Sequence, residues 1–115
     1  MKKEAYRDYA TAAIRAWAAA GRPSAEVCQK RFTGAVRADM EACALVFREL
    51  EAVSPEICRA AEAVYMADPA VPLKKGELTG RVLRFSMGEY VSERQVWEWL
   101  AKVRRAFAET RGLVV

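Results

Sequence analysis

Between Val91 and Phe107 the apolar residues Val96, Leu100, Val103 and Phe107 recur at spacings of four, three and four, with Trp99 one turn beside them. Only a helix brings that spacing onto one side, so the segment is expected to bury one stripe against a core. Its start is marked as clearly. In Ser92-Glu-Arg-Gln95 the serine hydroxyl can accept the Gln95 amide while the Gln95 side chain reaches back to the Ser92 amide, the reciprocal capping arrangement of an S-x-x-Q box. At ~100° per residue the opposite side gathers Arg94, Glu98, Lys102 and Arg105, with Trp97 and Arg104 along one flank. Such a helix, apolar behind and charged in front, has the form that enters a major groove.

The rest of the chain repeats the helical period, and no stretch alternates long enough to argue a sheet. The expected fold class is all-α, with four to five helices. A first helix covers about residues 4–20, with Tyr6, Ala10, Ala13 and Trp17 on one face and Tyr9 and Ile14 beside it, closed by Gly21 and Pro23. A second starts near Ser24 and runs to Ala52 with Val27, Ala35, Val46, Phe47 and Leu50 inward, and Thr33-Gly34 is the point at which it would bend or break. A third opens at Ser54-Pro55-Glu56, a capping serine before a proline in the first helical position. It carries Ile57, Ala61, Val64 and Tyr65, and ends before Asp68-Pro69 because the residue preceding proline is driven from helical geometry. Residues 68–76 then read as a stiff connector, a hinge at most. A fourth helix follows through Leu78, Val82 and Phe85, the corner is Ser86–Tyr90, and Gly112 caps the last helix.

A chain of 115 residues suits one core, so a single helical domain over 1-115 is expected: an N-terminal helical scaffold over 1-68 and a C-terminal pair of helices over 74-112. The formal charge of +4 is unevenly placed. Residues 1–70 hold ten Lys/Arg against ten Asp/Glu, and residues 71–115 hold nine against five. The whole excess thus falls on the half that carries the groove-shaped helix, where phosphate contacts would supply non-specific affinity.

Other function classes find little purchase. There is no histidine, hence no Ser-His-Asp or Cys-His pair, and no glycine-rich phosphate loop. No enzyme activity, catalytic residue, cofactor or metal site is expected. Cys28, Cys43 and Cys58 are odd in number and lack a C-x-x-C pair, so they read as small buried apolar residues. Met1-Lys-Lys is followed by charged residues rather than an apolar run, and no stretch approaches the ~20 residues of a membrane span, so a cytoplasmic protein without membrane attachment is expected.

On the residues quoted, Val91–Phe107 resembles the last helix of region 4 of bacterial sigma factors and the related helix of small phage late-transcription regulators of the ArpU and RinA kind. The packing positions of a helix-turn-helix are matched at Phe85, Val91, Val96 and Trp99. The resemblance implies a sequence-specific, double-stranded DNA-binding transcriptional regulator of phage or prophage type. It would place Glu93, Arg94, Trp97 and Glu98 at bases, Ser92 at a phosphate, and Lys102 and Arg105 farther along the backbone. Lys74, Lys75, Arg81 and Arg84, ahead of that helix, would meet flanking phosphates. RNA polymerase and a second copy of the chain are further expected partners. The chain departs from the motif at the turn, where Tyr90 replaces glycine and Glu89 an apolar residue, so Gly88 is expected to supply the left-handed residue. The rival reading is a helical adaptor that contacts polymerase or a phage protein without binding DNA.

Overall fold

The computed structural model describes residues 4–113, and these are all-helical, with six helices and no strand among them. They are α1 (Arg7–Ala19), α2 (Ala25–Arg31), α3 (Gly34–Val53), α4 (Pro55–Ala61), α5 (Glu77–Glu89) and α6 (Glu93–Arg111). The helix α4 runs on without interruption into one π-helical turn, Glu62–Met66.

The sixth helix arises because the expected 24–52 helix is divided. Phe32 and Thr33 are extended and Gly34 opens α3 at φ +60°, a left-handed conformation that favours glycine. That break resets the helical phase. Val27 and Ala35, expected inside, lie exposed, and Cys28 fills the core in their place, whereas Val46 and Phe47 are buried as expected. Ser24 does cap α2 through its hydroxyl to the Val27 amide. Ser54 does not cap α4 in this way. Its backbone carbonyl accepts from Ile57 and Cys58, and Pro55 opens the helix without a cap from the serine side chain.

One continuous core joins all the helices. α3 is packed by α1, α2, α4 and α6, and α6 is packed by α1, α3, α4 and α5, so the last helix is as deeply embedded as the scaffold. The stripe Val96, Leu100, Val103 and Phe107 is fully buried, and Trp17 stacks on Phe47 at 5.2 Å between ring centroids. At roughly 1.5–3 kcal/mol per large apolar side chain, this burial is the main source of stability.

The connector after α4 is fastened rather than hinged. The last carbonyls of a helix need partners, and here two buried guanidinium groups supply them. Arg15, from α1, donates to the Tyr65, Asp68 and Val71 carbonyls at 2.9, 3.1 and 2.6 Å. Arg81, from α5, donates to the Val64 and Ala67 carbonyls, both at 2.9 Å, and to Glu77 at 2.6 Å. Burial, and after it the neighbouring Arg81 charge, holds the Arg15 pKa below the usual arginine range.

Candidate nucleic-acid interface

The geometry of the candidate face begins at the turn between α5 and α6. Tyr90 ends α5 in the left-handed conformation, φ 56° and ψ 39°, and its amide donates to the Ser86 carbonyl. The Val91 amide donates to the same carbonyl at 3.1 Å, and the Ser86 hydroxyl to the Val91 carbonyl. This double closure tightens the last turn of α5 as a Schellman-type end does. Gly88 therefore is not the left-handed residue; it stays within α5, and Tyr90 itself adopts the conformation that glycine would take more cheaply. Ser92 then caps α6 through its hydroxyl to the Gln95 amide at 3.0 Å, and Gly112, at φ 81°, closes the far end.

With the apolar stripe of α6 turned inward, the opposite side faces solvent. Glu93, Arg94, Glu98, Lys102 and Arg105 are all exposed, and the Arg94 side chain is 90% exposed. Two ion pairs lie along this face, Arg94–Glu98 at 3.3 Å and Arg105–Glu109 at 3.5 Å, both four residues apart. Exposed pairs of this spacing are worth only a few tenths of a kcal/mol, so they yield readily to a stronger partner. Trp97 belongs to the flank. It is half-buried against the core, and the Arg7 guanidinium lies over its ring, 5.9 Å from the centroid.

Arg104 corrects the polar-flank expectation. It is buried, donating to Glu4 at 2.6 and 3.2 Å and to the Tyr65 hydroxyl at 2.7 Å. Burial opposes its charge, but the bonds to Glu4 and Tyr65 outweigh it and the Arg104 pKa stands above its ordinary value. Nothing local in the sequence announces this, because the partners lie 100 and 39 positions away.

Among the residues ahead of α6, Lys74, Lys75 and Arg84 are exposed. The Lys74 amide is held by Glu77 at 3.0 Å, which fixes the turn while leaving its ammonium outside. Arg81 is a correction. It is 7% exposed and directed at the carbonyls described above, so it cannot reach a phosphate. The spacing that put it beside Arg84 is real, but a difference of three residues also turns it by about 60° around the helix, into the core.

Two other groupings have the residue types for chemistry but not the environment. Glu51, Cys58 and Glu62 bring three metal-ligating atoms within 4.8 Å of one another. Arg22 already bridges both carboxylates, at 3.6 Å to Glu51 and 2.8 Å to Glu62. All three cysteines are free and buried, and burial pushes each thiol up, so none is poised as a thiolate nucleophile. No helix among the described residues is long and apolar enough to cross a membrane. No family model, curated protein or solved structure matches the chain.

Proposed function

We propose that this chain is a sequence-specific, double-stranded DNA-binding transcriptional regulator of the phage or prophage type, with α5, the Tyr90–Ser92 turn and α6 as a helix-turn-helix. One observation carries the reading: the charged side of α6 is open while the opposite side is fully buried. An N-terminal scaffold folded across Arg94, Glu98 and Lys102 would have excluded it. The left-handed Tyr90 between the helices adds support, since that residue sets the angle at which a second helix is presented. In this mechanism Lys74, Lys75, Arg84, Ser92, Lys102 and Arg105 hold phosphates and fix the register, and Glu93, Arg94 and Glu98 meet base edges with Trp97 at the rim. An arginine can hold guanine with two parallel bonds, and a glutamate can accept from the cytosine amino group.

Selection of bound sequences from a randomised duplex pool, followed by a salt series on the winner, tests this. A preferred site whose affinity falls steeply with salt is the expected result. No enrichment, together with no salt-dependent duplex binding, would reject it.

The adaptor reading is favoured by a separate feature. Leu83, Met87 and Tyr90 lie along the outer side of α5 and are 44%, 68% and 95% exposed. Apolar side chains aligned in this way suit a protein surface better than a phosphate backbone. The two readings part on duplex binding, which the adaptor would lack.

A further inference from the structure

The beginning of α1 lies between the flank of the charged face of α6 and the start of α5. On one side the Arg7 guanidinium covers the ring of Trp97, which sits roughly 60° around α6 from Arg94. On the other side Arg7 lines, with Asp8, Leu73 and Leu78, a cleft of about 330 Å³ that opens beside the start of α5; Leu73 is immediately adjacent in sequence to Lys74 and Lys75. Arg7 is exposed. Among the described residues no carboxylate lies at ion-pair distance from it, whereas the preceding acid, Glu4, is already held by Arg104 at 2.6 Å.

We infer that Arg7 is a phosphate-contacting residue, and that it joins the cations at the start of α5 to the open face of α6 in one continuous border. This rests on the DNA-binding reading above. An aromatic face attracts a guanidinium without neutralising it. Trp97 therefore restrains the side chain and leaves its full charge and its hydrogen-bond donors for an anion. Arginine is suited to that task, because its planar donors match two phosphate oxygens at once. Trp97 becomes a positioning residue for Arg7 in addition to its place at the rim. The scaffold helix α1 thereby takes part in the interface rather than only supporting it.

The test uses the full chain and a fluorescein-labelled mixed-sequence duplex, with anisotropy titrations at several salt concentrations. Removing one phosphate-binding cation lowers the slope of log affinity against log salt by about 0.9. Arg7→Gln is expected to lower it by about that much, Arg7→Lys to keep the wild-type slope, and Arg37→Gln, on an exposed arginine of α3 outside the proposed border, to change nothing. Trp97→Leu is expected to weaken binding through Arg7 while that arginine is still present. The slope is unaffected by a fraction of unfolded protein, so a modest loss of stability does not obscure the result. Wild-type slope in Arg7→Gln overturns the inference and leaves DNA binding standing. Absence of duplex binding by the wild-type protein overturns both.

Discussion

Arginines at two places in this protein do opposite work. Where α4 ends, Arg15 and Arg81 are drawn inside, and their guanidinium groups complete the hydrogen bonding of carbonyls that no helix satisfies. Along α6, Arg94 and Arg105 stand in solvent with one weak carboxylate partner each. The residue type is the same, and the environment decides whether it is part of the fold or available to a ligand. A buried cation is retained only where enough acceptors replace the water it has lost. An exposed one contributes little to stability and so can be committed to a partner.

The largest expected effect lies at the buried joint. Arg81→Met strands the Val64 and Ala67 carbonyls and unpairs Glu77, and should lower unfolding free energy by about 2–4 kcal/mol. Urea denaturation at neutral pH measures it. A loss below about 0.5 kcal/mol, the range of ordinary surface changes, would show that water replaces the guanidinium freely and would erase the distinction between the two regions. Arg94→Ala is the counterpart. Stability should stay within about 0.5 kcal/mol, while binding to a selected duplex site should weaken by ~1–3 kcal/mol with loss of preference at one base pair. Lys102→Ala should weaken all sequences alike, and equal losses across sequences for both variants would rule out the proposed base contact of Arg94.

The same contrast explains what is legible in the sequence. The helical class, the buried stripe of α6, its Ser92 and Gly112 ends, and the Pro55 start of α4 all depend on residues within a few positions of one another, and periodicity exposes them. The open face of α6 follows from that stripe, so spacing alone puts Arg94, Glu98, Lys102 and Arg105 in solvent. Arg81 and Arg104 are not legible in that way. Their burial is decided by carbonyls and side chains from distant segments, and an arginine in a helical pattern is by composition a surface residue. The π turn at Glu62–Met66 is hidden for a related reason: one extra residue per turn leaves no mark in a periodicity of three and four. Tyr90 escapes because left-handed geometry is usually a glycine's, and Gly88 lies only two residues away.

Smaller effects sharpen the comparison at the start of α6. Ser92→Ala removes the cap on the Gln95 amide and should cost about 1 kcal/mol of stability. Because the hydroxyl also stands at the open end of the face, the same change should lower duplex affinity, and a threonine variant should recover both. Tyr90→Gly relieves a left-handed tyrosine whose side chain is almost wholly exposed. It is expected to stabilise the fold by roughly 0.5–1 kcal/mol, the residual after the glycine's greater freedom in the unfolded chain is subtracted. Thermal denaturation decides the sign, and a destabilised variant would mean that the Tyr90 ring holds the turn through contacts of its own.

The smallest effect is electrostatic and returns to the buried joint. Glu77 has its carboxyl held below the ordinary glutamate range, first by the Lys74 amide and then by the Arg81 guanidinium, against a partial opposing effect of burial. A depressed native pKa means that the charged form favours the folded state. The contribution is therefore complete above the unfolded value, about 4.3, and is lost as pH falls through the lower native value. Glu77→Gln should accordingly be less stable than the wild type at neutral pH, with the difference shrinking as pH falls below the unfolded value of about 4.3. Denaturation curves of the two proteins at pH 7 and pH 3 provide the comparison. A gap that stays constant across that interval would show that the side chain matters at this joint through packing and neutral hydrogen bonds, leaving Arg81 to be held by the carbonyls alone.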